Sequence, residues 1–260
     1  TVTVTIASYA STNTKSLDFS GSSASLQGPH ANVTALQRAN TNGTGAADAW
    51  TISMWVKPST ASNTQTLFYY GGDDLVNEGR IEITQFGGSN ILFKYGSQNN
   101  NVTIFGVGSF PVGQWNHVMV SYDGVATTNT SADIAEYVSD RFTVNVNGSQ
   151  GWNSFQHVNY GYTGSIIADK YRIGRLLGAT TSQYMLGGRI NQIAIWGTDE
   201  RANLATIYNG GATQDLSLLS SAPEHYYEIE NSITTITDLT GNADLTAYNF
   251  VAADLVTDTP

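Results

Sequence analysis

Trp50-Thr-Ile-Ser-Met-Trp-Val-Lys-Pro58 decides the architecture. Trp50, Ile52, Met54 and Val56 alternate with Thr51, Ser53, Trp55 and Lys57. Successive side chains of a strand point to opposite sides, so this period of two predicts a strand with one apolar face. The same alternation recurs outward in both directions. Val118 and Val120 alternate with His117, Met119 and Ser121, and Phe142, Val144 and Val146 with Thr143, Asn145 and Asn147. Val2, Val4 and Ile6 alternate with Thr1, Thr3 and Thr5. Ile190, Ile193 and Ile195 belong to one more strand, with an irregularity expected near Asn191-Gln192. Turn signals separate the runs: Gly71-Gly72-Asp73-Asp74, Gly87-Gly88-Ser89-Asn90, Asn99-Asn100-Asn101 and Asp123-Gly124. Many short strands between Gly and Asn turns imply an all-β, antiparallel two-sheet jelly-roll sandwich.

One stretch reads as a helix. Thr198-Asp199-Glu200 supplies a cap and acids, Leu204, Ile207 and Tyr208 follow at helical spacing, and Asn209-Gly210-Gly211 stops it. No linker divides the 260 residues, and a sandwich of this length is commonly one unit. A single sandwich over 1–260 is therefore expected. Residues 1–12 would form an edge strand or arm, open to pairing with another copy in a homo-oligomer, and 212–260 would complete the fold.

Composition narrows the function. There is no cysteine, so disulfides and thiolate metal sites are excluded. Only 12% of residues are charged, and the net charge is −10 with 11 Lys and Arg. That balance argues against tracking a phosphate backbone, so no nucleic-acid partner is expected. No apolar run is long enough for a membrane span, so no membrane insertion is expected. Thr1 to Ile6 lacks the basic and apolar regions of a leader.

Several segments, taken in order, resemble the laminin G-like branch of the concanavalin A-like lectin/glucanase superfamily. They are Ser16-Leu-Asp-Phe19, the stretch from Trp50 to Pro58, Gly113-Gln-Trp-Asn-His-Val-Met-Val-Ser-Tyr-Asp-Gly124, and Phe142-Thr-Val-Asn-Val-Asn-Gly148. Tyr171-Arg-Ile-Gly174, Leu186 to Trp196 and the helix from Glu200 to Gly210 continue the series. The resemblance implies a concanavalin A-like sandwich with Trp50, Trp115 and Trp196 in its core. His225-Tyr-Tyr-Glu228 and Asp238-Leu-Thr-Gly-Asn242 resemble a segment that opens many such modules but here follows the helix. That order resembles modules of tailed-phage structural proteins. It implies a virion surface setting, as a capsid decoration or fibre protein, with neighbouring virion proteins or cell-surface glycan as partners. The alternative is an extracellular calcium-dependent lectin or adhesin module.

Three chemistries compete for the site. Hydrolases of the superfamily use closely spaced carboxylates on one strand. The nearest match is Glu228-Ile-Glu230, which lacks a third acid, so no catalysis is expected and the pair reads as a solvated strand end or loop edge. Glu78 and Glu82 bracket Arg80 as an exposed charge ladder. Calcium needs six to eight oxygens, and Asp73 and Asp74 are the candidate ligands, against a plain Asp-capped turn. The partner-binding candidates are Trp55 and the loop aromatics Trp152, Tyr160 and Tyr162, with Tyr69, Tyr70 and Gln85 beside them, because sugars are held by aromatic faces and amide fans. The same aromatics suit a protein partner equally well. His117 reads as a packing residue rather than a base.

Overall fold

The computed structural model describes residues 13–19, 23–37, 49–61, 64–72, 79–87, 90–96, 101–107, 109–124, 141–150, 154–158, 166, 168–176, 185–230 and 232–260. Their strands form two antiparallel sheets. The eight-stranded sheet runs β10 (Ser149–Gln150), β9 (Phe142–Val146), β8 (Asn116–Tyr122), β3 (Trp50–Pro58), β13 (Gly188–Trp196), β1 (Ser16–Asp18) and β17 (Leu255–Val256), with β14 (His225–Tyr227) also against β13. The nine-stranded sheet runs β11 (Ser154–Val158), β7 (Asn101–Val107), β6 (Asn90–Gly96), β5 (Arg80–Phe86), β4 (Gln65–Gly71), β12 (Lys170–Ile173), β2 (Ser25–Gly28), β16 (Leu245–Tyr248) and β15 (Thr235–Ile236). This is the concanavalin A-like jelly-roll sandwich.

The core lies between the sheets. Trp50, Ile52, Met54 and Val56 of β3 meet Ile81 and Ile83 of β5 and Phe93 and Tyr95 of β6 in one buried cluster. Trp50 packs on Phe93, Tyr95 and Tyr122 with ring centroids 6.0–6.3 Å apart. Burying one such aromatic contributes about 2–3 kcal/mol. The irregularity in β13 falls between Ile190 and Ile193, where the register with β3 shifts. The two polar residues at this bulge are used as clamps. Asn191 Nδ2 donates to the Lys15 carbonyl at 2.5 Å, and Gln192 Nε2 donates to the Tyr226 hydroxyl at 2.6 Å and the Gln214 carbonyl at 2.7 Å. The bulge thus ties both flanking segments to the central strand.

The helix is α1 (Leu204–Tyr208). It covers the outer face of the eight-stranded sheet, where Met119, Ala194, Trp196, Ile207, Leu216 and Tyr226 make a second small core. Trp196 therefore packs outside the main core, although it is buried as expected. Trp115 is half-buried and donates from Nε1 to the Asp258 carboxylate at 3.2 Å. The left-handed backbone of Asn209 and Gly210 ends the helix (φ 48° and 64°). At Gly188, φ is 143° and a Cβ would stand 2.3 Å from the Lys57 carbonyl, so β3 and β13 can approach only over a glycine. The C-terminal segment supplies strands to both sheets: β14 and β17 to one, β15 and β16 to the other. Residues 1–12, read as an arm, lie outside the described residues. No helix of the described residues is long and apolar enough to cross a membrane.

Candidate functional site

The nine-stranded sheet has a second face, turned away from the core. Ile81 and Ile83 of β5 point inward, so Arg80, Glu82, Thr84 and Phe86 point outward. Cross-strand register then sets Arg172, Tyr69, Glu82, Lys94 and Thr103 in one row over five strands. The row is held by its own hydrogen bonds. Arg80 Nε donates to Glu82 Oε2 at 2.9 Å, Thr84 Oγ1 donates to Oε1 at 2.9 Å, and Lys94 Nζ lies 3.9 Å from Oε2. Tyr69 donates to the Gly72 carbonyl at 2.7 Å.

The exposed charge ladder expected around Arg80 is thus corrected. Arg80 is 6% exposed and Glu82 3%, and Glu78 lies outside the described residues. The pair is desolvated, and removing either partner alone would cost about 3–5 kcal/mol.

Beside this row stand two aromatics that the sequence reading passed over. Phe86 is 43% exposed and meets half-buried Phe105 edge to face, with ring centroids 6.0 Å apart. Leu92 pairs with both Thr84 and Phe105 and is itself buried. The available signal was an aromatic ending an otherwise polar alternation, Arg80, Glu82, Thr84, Phe86.

The other aromatic candidates separate. Tyr69 is buried on the outer row, while Tyr70 belongs to the core and Gln85 is buried with its amide donating to the Thr60 carbonyl at 3.0 Å. Trp55, a candidate ligand contact, is corrected to a packing residue. It is 2% exposed, stacked against Tyr208 of α1 at 6.0 Å and set 5.0 Å from His117. The helix covers it, not the second sheet. Trp152, Tyr160 and Tyr162, and the candidate calcium ligands Asp73 and Asp74, lie outside the described residues. Among the described residues no three His, Asp or Glu gather to hold a metal ion.

Glu228 and Glu230 line an open cleft of about 440 Å³ with Asp215, Ser232, Thr235, Ile236, Thr237 and Leu239. The pair lies at the loop edge just past β14, and both carboxylates are half-buried. Sequence reasoning missed Asp215, which the chain brings back from thirteen residues away. Each carboxylate has a structural hydrogen-bonding task. Asp215 caps a turn by accepting from Ser217 N at 3.0 Å and Ser217 Oγ at 2.6 Å. Glu228 accepts from Tyr226 at 2.6 Å, and Glu230 accepts from Thr14 N and from Thr14 Oγ1 at 3.2 Å. Burial, then the hydrogen bond and charge of Glu228, push the Tyr226 hydroxyl well above its ordinary pKa, so it stays a neutral donor. Among the described residues the lining of the cleft includes no aromatic ring.

A two-sheet sandwich carrying a polar and aromatic outer sheet face defines a class, and sequence comparison places the chain in it. The chain belongs to the concanavalin A-like lectin/glucanases superfamily, because the Laminin_G_3 family model matches residues 30–200. The chain is similar in fold to a candidate carbohydrate binding protein from Bacteroides ovatus ATCC 8483, with a TM-score of 0.54 and 14% identity. That match covers 90% of this chain, which spans 58% of the other. It is similar also to a native heptameric SAP-like pentraxin from Limulus polyphemus (TM-score 0.51, 17% identity), covering 91% of this chain and 96% of the pentraxin. At these identities the likeness carries the fold alone. No curated protein sequence matches the chain.

Proposed function

We propose that the chain is a non-catalytic glycan-binding module, and that its ligand rests on the outer face of the nine-stranded sheet. The carrying observation is exposed Phe86 set edge to face against half-buried Phe105, with the part-exposed Lys94 on the same sheet face. Aromatic faces take the apolar face of a sugar ring, and a part-exposed polar group such as Lys94 takes its hydroxyls. The carbohydrate binding named for the Bacteroides ovatus protein supports the same reading.

Hydrolysis of a glycoside in its usual form needs two carboxylates roughly 5–10 Å apart across the bond. Among the described residues, the side chains of this face's central rows include one carboxylate, Glu82, already committed to Arg80 and Thr84. In the cleft, Glu228 and Glu230 support neighbouring backbone and side chains, which favours a structural role over an acid and base.

Phe86→Ala and Phe105→Ala should each weaken glycan binding by about 10-fold, the upper end of a single aromatic contact. Titration calorimetry with a glycan drawn from an array measures this. Unchanged affinity in both variants would refute the placement on this face.

We place the module on a virion surface, where it would meet virion subunits or host glycan. What supports this is the order of the chain, with the His225 to Asn242 segment after the helix instead of before the first strand. An antibody against this chain should decorate intact virions in negative stain. Labelling of cell envelopes alone would move the module to the extracellular alternative.

A further inference from the structure

Charge on the proposed binding face runs against the charge of the chain. The protein has a net charge of −10 and only 11 Lys and Arg in 260 residues. Four of these cations, Arg80, Lys94, Lys170 and Arg172, share the outer face of the nine-stranded sheet. Register places Lys170 across Gly71 from Arg80, and Arg172 across Tyr69 and Glu82 from Lys94. The described acids at these rows are Glu82 and Asp169. Glu82 is consumed by Arg80 at 2.9 Å, and Asp169 lies 3.3 Å from Lys170.

Lys94 is the informative group. Its ammonium is a distant second neighbour of an already paired carboxylate, at 3.9 Å, and its side chain is 31% exposed while Glu82 is 3% exposed. It stands two residues along β6 from Leu92, beside the Phe86–Phe105 pair. One strand repeat is roughly 7 Å. A ring lying on the two phenyls would therefore bring a substituent within reach of the ammonium.

We propose that the preferred ligand is an acidic glycan, a saccharide bearing carboxylate or sulfate groups. Its ring packs on Phe86 and Phe105, and its acid group is taken by Lys94. A neutral sugar would leave the Lys94 ammonium facing hydroxyls only, whereas an anion gains charge-assisted hydrogen bonds in a partly desolvated setting.

The inference rests on the glycan-binding reading, and the test separates the two. The intact protein is offered neutral, uronate- or sialate-bearing, and sulfated oligosaccharides of matched length. One or both acidic arms should bind at least about 10-fold more tightly than the neutral arm, with affinity falling as salt rises. Which acidic arm wins identifies carboxylate or sulfate. Lys94→Gln should erase most of that preference and Lys94→Arg should keep it, with thermal melts confirming that both variants fold. Equal binding of neutral and acidic arms, still lost in Phe86→Ala, would overturn the acidic preference and leave the glycan reading intact. Absence of binding in every arm would overturn both.

Discussion

Asp238→Ala should melt about 10 °C below the parent chain, a loss of about 4 kcal/mol for a chain of this size. Asp238 is the hub of the turn that returns the C-terminal segment to the sandwich. Its side chain is fully buried, and its two oxygens accept five hydrogen bonds. Oδ1 accepts from the backbone N–H groups of Tyr226 at 3.0 Å, Gly241 at 3.0 Å and Thr240 at 3.4 Å. Oδ2 accepts from Ala243 N at 3.0 Å and meets His225 Nδ1 at 2.6 Å. Alanine would leave these donors without partners, at about 1–3 kcal/mol for each that stays buried. Burial alone would raise the carboxyl pKa, yet the bonds from His225, Tyr226, Ala243 and Gly241 outweigh it and hold the value at about 2. A carboxylate with a depressed folded pKa stabilises the fold fully above its unfolded value near 3.8, and that stability is lost as pH falls towards 2. Asp238→Asn should therefore flatten the acid limb between about pH 4 and 2 while costing less at neutral pH. Differential scanning calorimetry at pH 7 and pH 3 checks both statements. A melting point within 2–3 °C of the parent for Asp238→Ala would refute the hub role.

How far such features can be read from sequence depends on which face of a strand is asked about. The inward faces of β3, β8 and β13 were legible, because one apolar residue in two leaves no other assignment, and the broken period at Asn191-Gln192 marked the bulge. The outward faces were not. A polar alternation predicts solvent, yet Ser53, His117, Arg80 and Glu82 are all buried. His117, bonded to Ser53, and Trp55 pack against Tyr208 of α1, which is distant from both in sequence. Parity also misled. Tyr69 and Tyr70 are neighbours in sequence and so cannot share a face. The register shift between Thr66 and Phe68 further resets the count along β4. The Phe86–Phe105 pair escaped because its members sit on different strands, β5 and β7, and their rings meet across the intervening β6. Asp215 joins Glu228 and Glu230 for the same reason: proximity made by chain return leaves no local pattern.

Stability should also fall steadily as the pH drops from about 6.5, by up to about 1.4 kcal/mol per pH unit, and His117 should account for it. His117 is completely buried on the face of β8 beneath the helix. Its Nε2 meets Ser53 Oγ at 2.7 Å, while Nδ1 has no hydrogen-bonding partner among the described residues. Its ring sits 5.0 Å from that of Trp55 and 5.7 Å from that of Tyr208. A second proton would be stranded in this site, so desolvation lowers the pKa from 6.5 to about 3. The sign follows from proton counting. Above pH 6.5 the imidazole is neutral in both folded and unfolded chains, and the fold keeps its full stability. As pH falls below 6.5 the unfolded chain takes up a proton that the folded chain refuses, and the balance shifts towards unfolding until about pH 3. Asp238 acts only below about pH 4, while Glu200, also held below its ordinary carboxyl range, begins to act at about pH 5, so the comparison with a His117 variant separates the histidine from the carboxylates. Urea unfolding at pH 7, 6 and 5 should give a declining free energy for the parent and a markedly flatter series for His117→Gln. The glutamine can keep the bond to Ser53 but cannot take a proton. Parallel pH slopes in the two proteins would mean that other groups carry the acid sensitivity and that His117 is protonated within the fold.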